Sequence, residues 1–203
     1  MKDFYKKLTD VIFVNLLWIL GSFLGLLITM GASTTAMFRV TFQLLKKSEP
    51  TNVFHTFYKS FKENFVVSTL VWLTLVLLGF CLFMMYNYAL HTDAPFLIVL
   101  AIVGGYQILI FTIYFFPVLA IFETKNVKQL IKNVLYLSNK NLWTNFKLLG
   151  SLAFVVLGIV FIHEMLILVL IGVYGVLISF HLKKVFDPYL RQFGEIDDEE
   201  GNY

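Results

Sequence analysis

The residues best placed to do chemistry are Gly31, Ser33, Thr34 and Thr35, in the run Gly31-Ala32-Ser33-Thr34-Thr35-Ala36, with Arg39 one turn further on if the run is helical. A helix that begins at a Ser or Thr cap points free N–H groups and the positive end of its dipole at one spot, which suits an anion. Arg39 would add a charged donor for a carboxylate or phosphate. The plainer reading needs no ligand: small residues let helices approach closely, and Arg39 extends to the polar layer. Other constellations are missing. There is no G-x-x-x-x-G-K-[ST] and no G-x-G-x-x-G run, so neither nucleotide-binding loop is present. There is no H-E-x-x-H either, and His163-Glu164 is an adjacent pair whose side chains leave a helix in different directions. Cys81 is the only cysteine, which excludes an intramolecular disulfide. No catalytic residue, metal or cofactor is expected, and the chain is not expected to be an enzyme.

Elements that could position such residues are constrained by composition. Of 203 residues, 59% are hydrophobic and 14% charged, where a soluble domain carries about 25% charged residues. Mean hydropathy is +0.79, and the 22 Phe and 10 Tyr fit rings that face lipid or lie at its interface. A net charge of +3 is too small to point to nucleic acid and fits anionic lipid headgroups. A spanning helix needs about 20 mostly apolar residues. Residues 65–90, 96–122, 146–162 and 165–182 qualify or nearly qualify, the last two being short. The apolar run at 11–30, behind Lys2, Lys6 and Lys7, is too long for a secretory signal and continues into further apolar sequence, so it is read as an uncleaved segment.

The fold class is therefore all-α: a polytopic membrane helix bundle of five or six membrane segments with two amphipathic interfacial helices. Residues 1–190 form one integral membrane domain, and 191–203 an acidic cytoplasmic tail without fixed structure. Lysines set the orientation. Residues 91–95 and 163–164 contain no Lys or Arg. The opposite loops hold Lys46, Lys47, Lys59 and Lys62, then Lys125, Lys128, Lys132, Lys140 and Lys147, then Lys183, Lys184 and Arg191. The positive-inside rule puts those loops and the C-terminus in the cytoplasm of a cell-membrane protein.

Residues 11–45 admit two topologies. Lys2, Lys6 and Lys7 favour a cytoplasmic N-terminus, which makes 11–45 a hairpin turning near Gly31 and returning through 32–45, a helix of about 21 Å. A single broken crossing is the alternative. A weak repeat favours the second: 53–65 (VFHTFYKSFKENF) lies on 134–146 (VLYLSNKNLWTNF) without gaps, matching Val53 with Val134, Lys59 with Lys140 and Asn64-Phe65 with Asn145-Phe146.

Two cytoplasmic stretches are amphipathic. Val127, Leu130, Ile131, Val134 and Leu135 fall at helical spacing, with Lys128 and Lys132 facing away. Phe54, Phe57, Phe61 and Phe65 form a stripe opposite His55, Lys59 and Lys62. Each could lie in the headgroup layer with its lysines toward anionic lipid. Alternatively Phe57, Lys59, Phe61, Lys62, Lys128 and Lys132 could dock a partner by the helix-in-groove mode. Glu123 ends its span where it could pair with Arg39 or Lys125.

Several of these runs carry a resemblance. Asn15-Leu16-Leu17-Trp18, Thr29-Met30-Gly31-Ala32-Ser33-Thr34-Thr35-Ala36-Met37, Phe57-Tyr58-Lys59-Ser60-Phe61-Lys62-Glu63-Asn64-Phe65 and the close Lys183-Lys184-Val185-Phe186-Asp187-Pro188-Tyr189-Leu190 resemble the YesL-like family of bacterial multi-pass membrane proteins. The family pattern usually has a proline shortly before the T-x-G-A segment, where this chain has Gly25 and Leu26. The resemblance implies a multi-pass protein whose genes often lie near those for carbohydrate ABC transporters, polysaccharide-degrading enzymes and two-component regulators. It implies no catalytic residue. The expected function is thus an accessory or regulatory component of ABC-type carbohydrate uptake, with the lipid bilayer and an ABC permease as partners. The alternative is a small transporter or channel with its ligand at the broken first segment. Neither ligand nor oligomeric state follows from the sequence.

Overall fold

The computed structural model describes residues 2–45, 52–122 and 126–192, and its regular structure is entirely helical. In chain order, α1 is Lys2–Leu24, α2 Met30–Leu44, α3 Val53–His91, α4 Pro95–Ile121, α5 Val127–Lys140, α6 Leu142–Phe161 and α7 Ile167–Gln192. A short 3₁₀ turn at Glu164–Leu166 precedes α7. Five of these helices, α1, α3, α4, α6 and α7, are long and apolar enough to cross a membrane. The polytopic helical bundle expected from composition is what the chain builds. Lys46, Lys47, Glu123, Lys125 and the acidic stretch 195–200 lie outside the described residues.

Residues 11–45 form two helices, and the corner between them is not at Gly31. It lies at 25–29. Leu27 N–H donates to the Ser22 carbonyl at 2.9 Å and Leu26 N–H to that of Phe23 at 3.0 Å, the pair of bonds that closes a helix in a Schellman cap. Leu26 (φ 50°) and Leu27 (φ 64°) are left-handed. Gly31 is instead inside the first turn of α2. With 15 residues, α2 is about 22 Å long, short of a ~30 Å hydrocarbon core.

A second difference concerns 53–65. The separate interfacial helix expected there is the first third of α3, which runs unbroken for 39 residues, about 58 Å. Asn52 caps its start, its side chain accepting from the His55 N–H at 3.2 Å. Neither Gly nor Pro follows until Gly79, so nothing ends the helix at the membrane surface. The counterpart in the gapless alignment, 134–146, contains a corner: Asn141 (φ −107°, ψ 56°) separates α5 from α6. Asn145 Nδ2 closes this corner by donating to the Ser138 carbonyl at 2.7 Å. The aligned stretches therefore differ in local fold.

α2 is the hub. It packs against α1, α3, α4 and α7, while α5 lies on α4 and α6 on α7. The core gathers where α2 meets the later halves of α4 and α7. Met37, Phe38, Tyr114, Phe115, Phe116, Ile178, Leu182 and Phe186 are buried there, and the Phe186 ring meets Phe42 and Phe122 at centroid distances of 6.1 and 5.7 Å. Further along the α3–α4 pair the packing thins: beyond Thr69 only Leu75 and Ala89 of α3 are buried, and before Ile110 only Ala101 of α4. Exposed Leu, Phe, Val and Met side chains cover that stretch, as lipid contact requires.

Candidate functional site

The predicted site is the start and middle of α2, and the structure uses most of its polar groups to join α2 to its neighbours. Trp18 Nε1 of α1 donates to Thr34 Oγ1 at 3.0 Å, and Thr34 donates back to the Met30 carbonyl at 2.7 Å. Thr35 Oγ1 shares a hydrogen bond with Ser68 Oγ of α3 at 2.9 Å. Thr41 Oγ1 does the same with Ser179 of α7 at 2.7 Å. Arg39 is half-buried and donates to the Ala120 carbonyl near the end of α4 at 2.8 Å. At the lower end, Thr56 of α3 donates to Gln43 Oε1 at 3.1 Å. One short helix thus bonds to four others. Hydroxyls and amides suit this role in a bilayer, where each satisfied pair replaces a polar group with no solvent partner.

Gly31 supplies close approach. A Cβ there would run into the Ser68 carbonyl and would stand 2.7 Å from Trp72 Cβ. Thr29 flanks α2 without capping it; its hydroxyl reaches the Gly21 carbonyl instead. Ser33 is the exception among the candidates. Its hydroxyl, like that of Ser22, is buried with no hydrogen-bond partner.

The two proposed docking stretches divide in the structure. Phe57 is buried, its ring stacked on Phe61 at 6.3 Å and near Gly21 of α1, so this part of the stripe packs inside the protein. Lys59 and Lys62 remain exposed. Lys59 pairs with Glu63 at 4.0 Å across one turn, a contact worth well under about 1 kcal/mol at such exposure. On α5, Leu130, Val134 and Leu137 are buried, while Lys128 and Lys132 are exposed together with Val127, Leu135 and Tyr136. Asn126 fixes the start of α5, its Oδ1 accepting from the N–H groups of Lys128 and Gln129.

Sequence reasoning named Asn15 only within a family-like run, gave it no role, and passed over Trp72. Asn15 is fully buried on α1; its Nδ2 donates to the Ile167 carbonyl at 3.2 Å and its Oδ1 accepts from Gly172 N–H at 2.7 Å. Trp72 Nε1 donates to the Leu27 carbonyl at 3.0 Å and so secures the 25–29 corner. The available signal was an amide and an indole inside otherwise apolar runs, where a polar group needs a partner. Beyond this hub, α3 and α4 enclose an open, apolar groove of about 500 Å³ lined by Gly79, Leu82, Tyr86, Gly105 and Thr112 among others. Among the described residues no three His, Cys, Asp or Glu side chains come together as a metal site would need.

Residues 11–87 match the family described as "Protein of unknown function, DUF624", a segment holding the later part of α1, all of α2 and most of α3. The protein named "Uncharacterized protein YesL" of Bacillus subtilis (strain 168) is 30% identical over 114 residues, 56% of this chain and 54% of that protein. The match thus spans about half the length of the relative. No solved structure matches.

Proposed function

From the premise that the chain is YesL-like, as both comparisons support, we propose that it is a non-enzymatic membrane protein serving as an accessory subunit of carbohydrate uptake of the ABC type. The reading takes its functional content from the family resemblance. Its physical support is the outer face of α5. There Lys128 and Lys132 stand beside exposed Val127, Leu135 and Tyr136, on a helix anchored by Leu130, Val134 and Leu137. An anchored helix that offers both charge and apolar surface has little ordering cost to meet when a partner docks. By the positive-inside rule this face and the C-terminus lie in the cytoplasm, and so does the N-terminus where 11–45 is a hairpin.

The test is mass spectrometry of what co-purifies with the tagged protein in a gentle detergent from its native membrane. Stoichiometric recovery of an ABC permease, abolished by Lys128→Glu with Lys132→Glu, is the expected result. Recovery of the chain alone, or only with itself, removes the accessory reading. A small transporter with its ligand at the α1–α2 corner is the second reading, and the observation on its side is the unpartnered, buried hydroxyls of Ser22 and Ser33. Under that reading Ser33→Ala impairs uptake of the ligand while the protein still assembles.

A further inference from the structure

A second polar site lies away from α2, where α5, α6 and α7 meet. A pocket of about 570 Å³ is lined there by Tyr136, Lys140, Asn141, Thr144, Lys184 and Tyr189, together with Val185 and Pro188. The pocket thus brings two lysines together with phenol, hydroxyl and amide side chains. Among the described residues the only ion pair is Lys59–Glu63, so neither lysine has a carboxylate partner among them. Asp187, although on α7, does not line the pocket. Lys140 Nζ stands 5.3 Å from the centre of the Tyr136 ring, and Lys184 Nζ 5.5 Å from that of Phe180. The hydroxyl of Tyr136, and after it that of Tyr189, holds the Lys140 ammonium above the ordinary lysine range by accepting from its charged form.

Neighbouring side chains indicate the depth of this pocket. Leu142, Trp143 and Phe146, on the first turns of α6, are exposed, with Trp143 and Phe146 stacked at 5.9 Å. Lys147 Nζ lies 5.8 Å from the centre of the Trp143 ring. Exposed Trp and Phe followed by Lys mark the boundary between hydrocarbon and headgroups. The start of α6 adds unbonded N–H groups next to Asn141, whose side chain caps none of them.

We propose that the pocket bounded by Lys140, Lys184, Tyr136 and Tyr189 binds a phosphate group at the level of the lipid headgroups. Two point charges with hydroxyl donors suit a phosphate. The aromatic rim favours the phosphodiester of an anionic phospholipid over free phosphate as its source. The site shares only Tyr136 with the α5 face carrying Lys128 and Lys132, and the Lys140/Lys184 and Lys128/Lys132 variants let either assignment fail without the other.

The experiment is native mass spectrometry of the full chain in detergent, titrated with phosphatidylglycerol, with phosphatidylcholine, and with inorganic phosphate as competitor. Phosphatidylglycerol is expected to be retained at a defined stoichiometry and phosphatidylcholine much less. Lys140→Gln combined with Lys184→Gln should weaken retention on the order of tenfold or more, and Lys6→Gln with Lys7→Gln, the same loss of charge at exposed positions of α1, should leave it unchanged. Displacement by millimolar inorganic phosphate would keep the phosphate site and make free phosphate its source. Equal retention by wild type and the Lys140/Lys184 variant, or equal loss in both double variants, overturns the proposal. Tyr136→Phe, which keeps the ring and removes only the hydroxyl, provides a variant expected to fold and to bind more weakly; unchanged binding of both lipids by it and by the lysine variant counts against the site.

Discussion

Arg39 spends its charge on the end of another helix. The last carbonyls of α4 have no partners within that helix; that of Val118 accepts from the Phe122 N–H just beyond it, at 2.9 Å. The Arg39 guanidinium takes the Ala120 carbonyl at 2.8 Å, placing a cation on the negative end of the α4 dipole. Arg39→Ala should therefore cost about 1–3 kcal/mol, read as a lower unfolding midpoint in detergent, with Arg39→Lys recovering part of it. An unchanged midpoint alongside lost activity would instead favour an anion ligand at Arg39. Gly31 allows a sharper test. Any Cβ meets the Ser68 backbone, which has no rotamer to give, so Gly31→Ala should cost about 1–3 kcal/mol. Gly150→Ala, where a Cβ meets nothing within 4 Å, should be neutral or stabilising. The run from Gly31 to Arg39 was legible as small, polar and helical. Its individual partners were not, because Trp18, Ser68 and Ala120 are brought to it only by the bundle.

The corner between α1 and α2 shows how an element boundary escapes a sequence pattern. Gly31-Ala32-Ser33 carries the stronger turn chemistry, yet the chain turns after Gly25, with Leu26 taking the left-handed position that glycine usually holds in such a cap. A leucine gives no local sign of this. Trp72 holds the corner from outside through the Leu27 carbonyl, and Thr29, its last residue, ties it back to the Gly21 carbonyl of α1. The other ends were easier to read. The lysine-free stretch 91–95 is the α3–α4 turn, and 163–164 lies in the α6–α7 turn. Fusion of 53–65 into α3 went unseen because amphipathic and apolar periodicity can follow one another in a single helix. Leu26 is 83% exposed and packs against little. Leu26→Gly should relieve the cost of a left-handed L-residue and stabilise the protein by about 1 kcal/mol. A higher unfolding midpoint is the expected outcome; a lower one would mean that the Leu26 side chain itself anchors the corner.

At the scale of the molecule, the bundle has a tightly packed end and a lipid-facing one, and the lysines follow the packed end. Lys59, Lys62, Lys128, Lys132, Lys140 and Lys184 lie on segments around it, whereas the α3–α4 turn at residues 92–94 carries no Lys or Arg. Two separate helices within 2–45 return the chain to the side it started from, if both cross. That is testable with single cysteines introduced after Cys81→Ser. An impermeant maleimide applied to intact cells should label Asp93→Cys, and should label Lys132→Cys only after the membrane is opened. Lys6→Cys decides the first segment. Protection of Lys6→Cys in intact cells means that α1 and α2 together cross and return, with α2 shielded by α1, α3, α4 and α7, as a short polar helix must be in lipid. Labelling from outside means that 11–45 crosses once. The hydrogen bonds from α2 to its neighbours would then hold together a single broken passage rather than a hairpin.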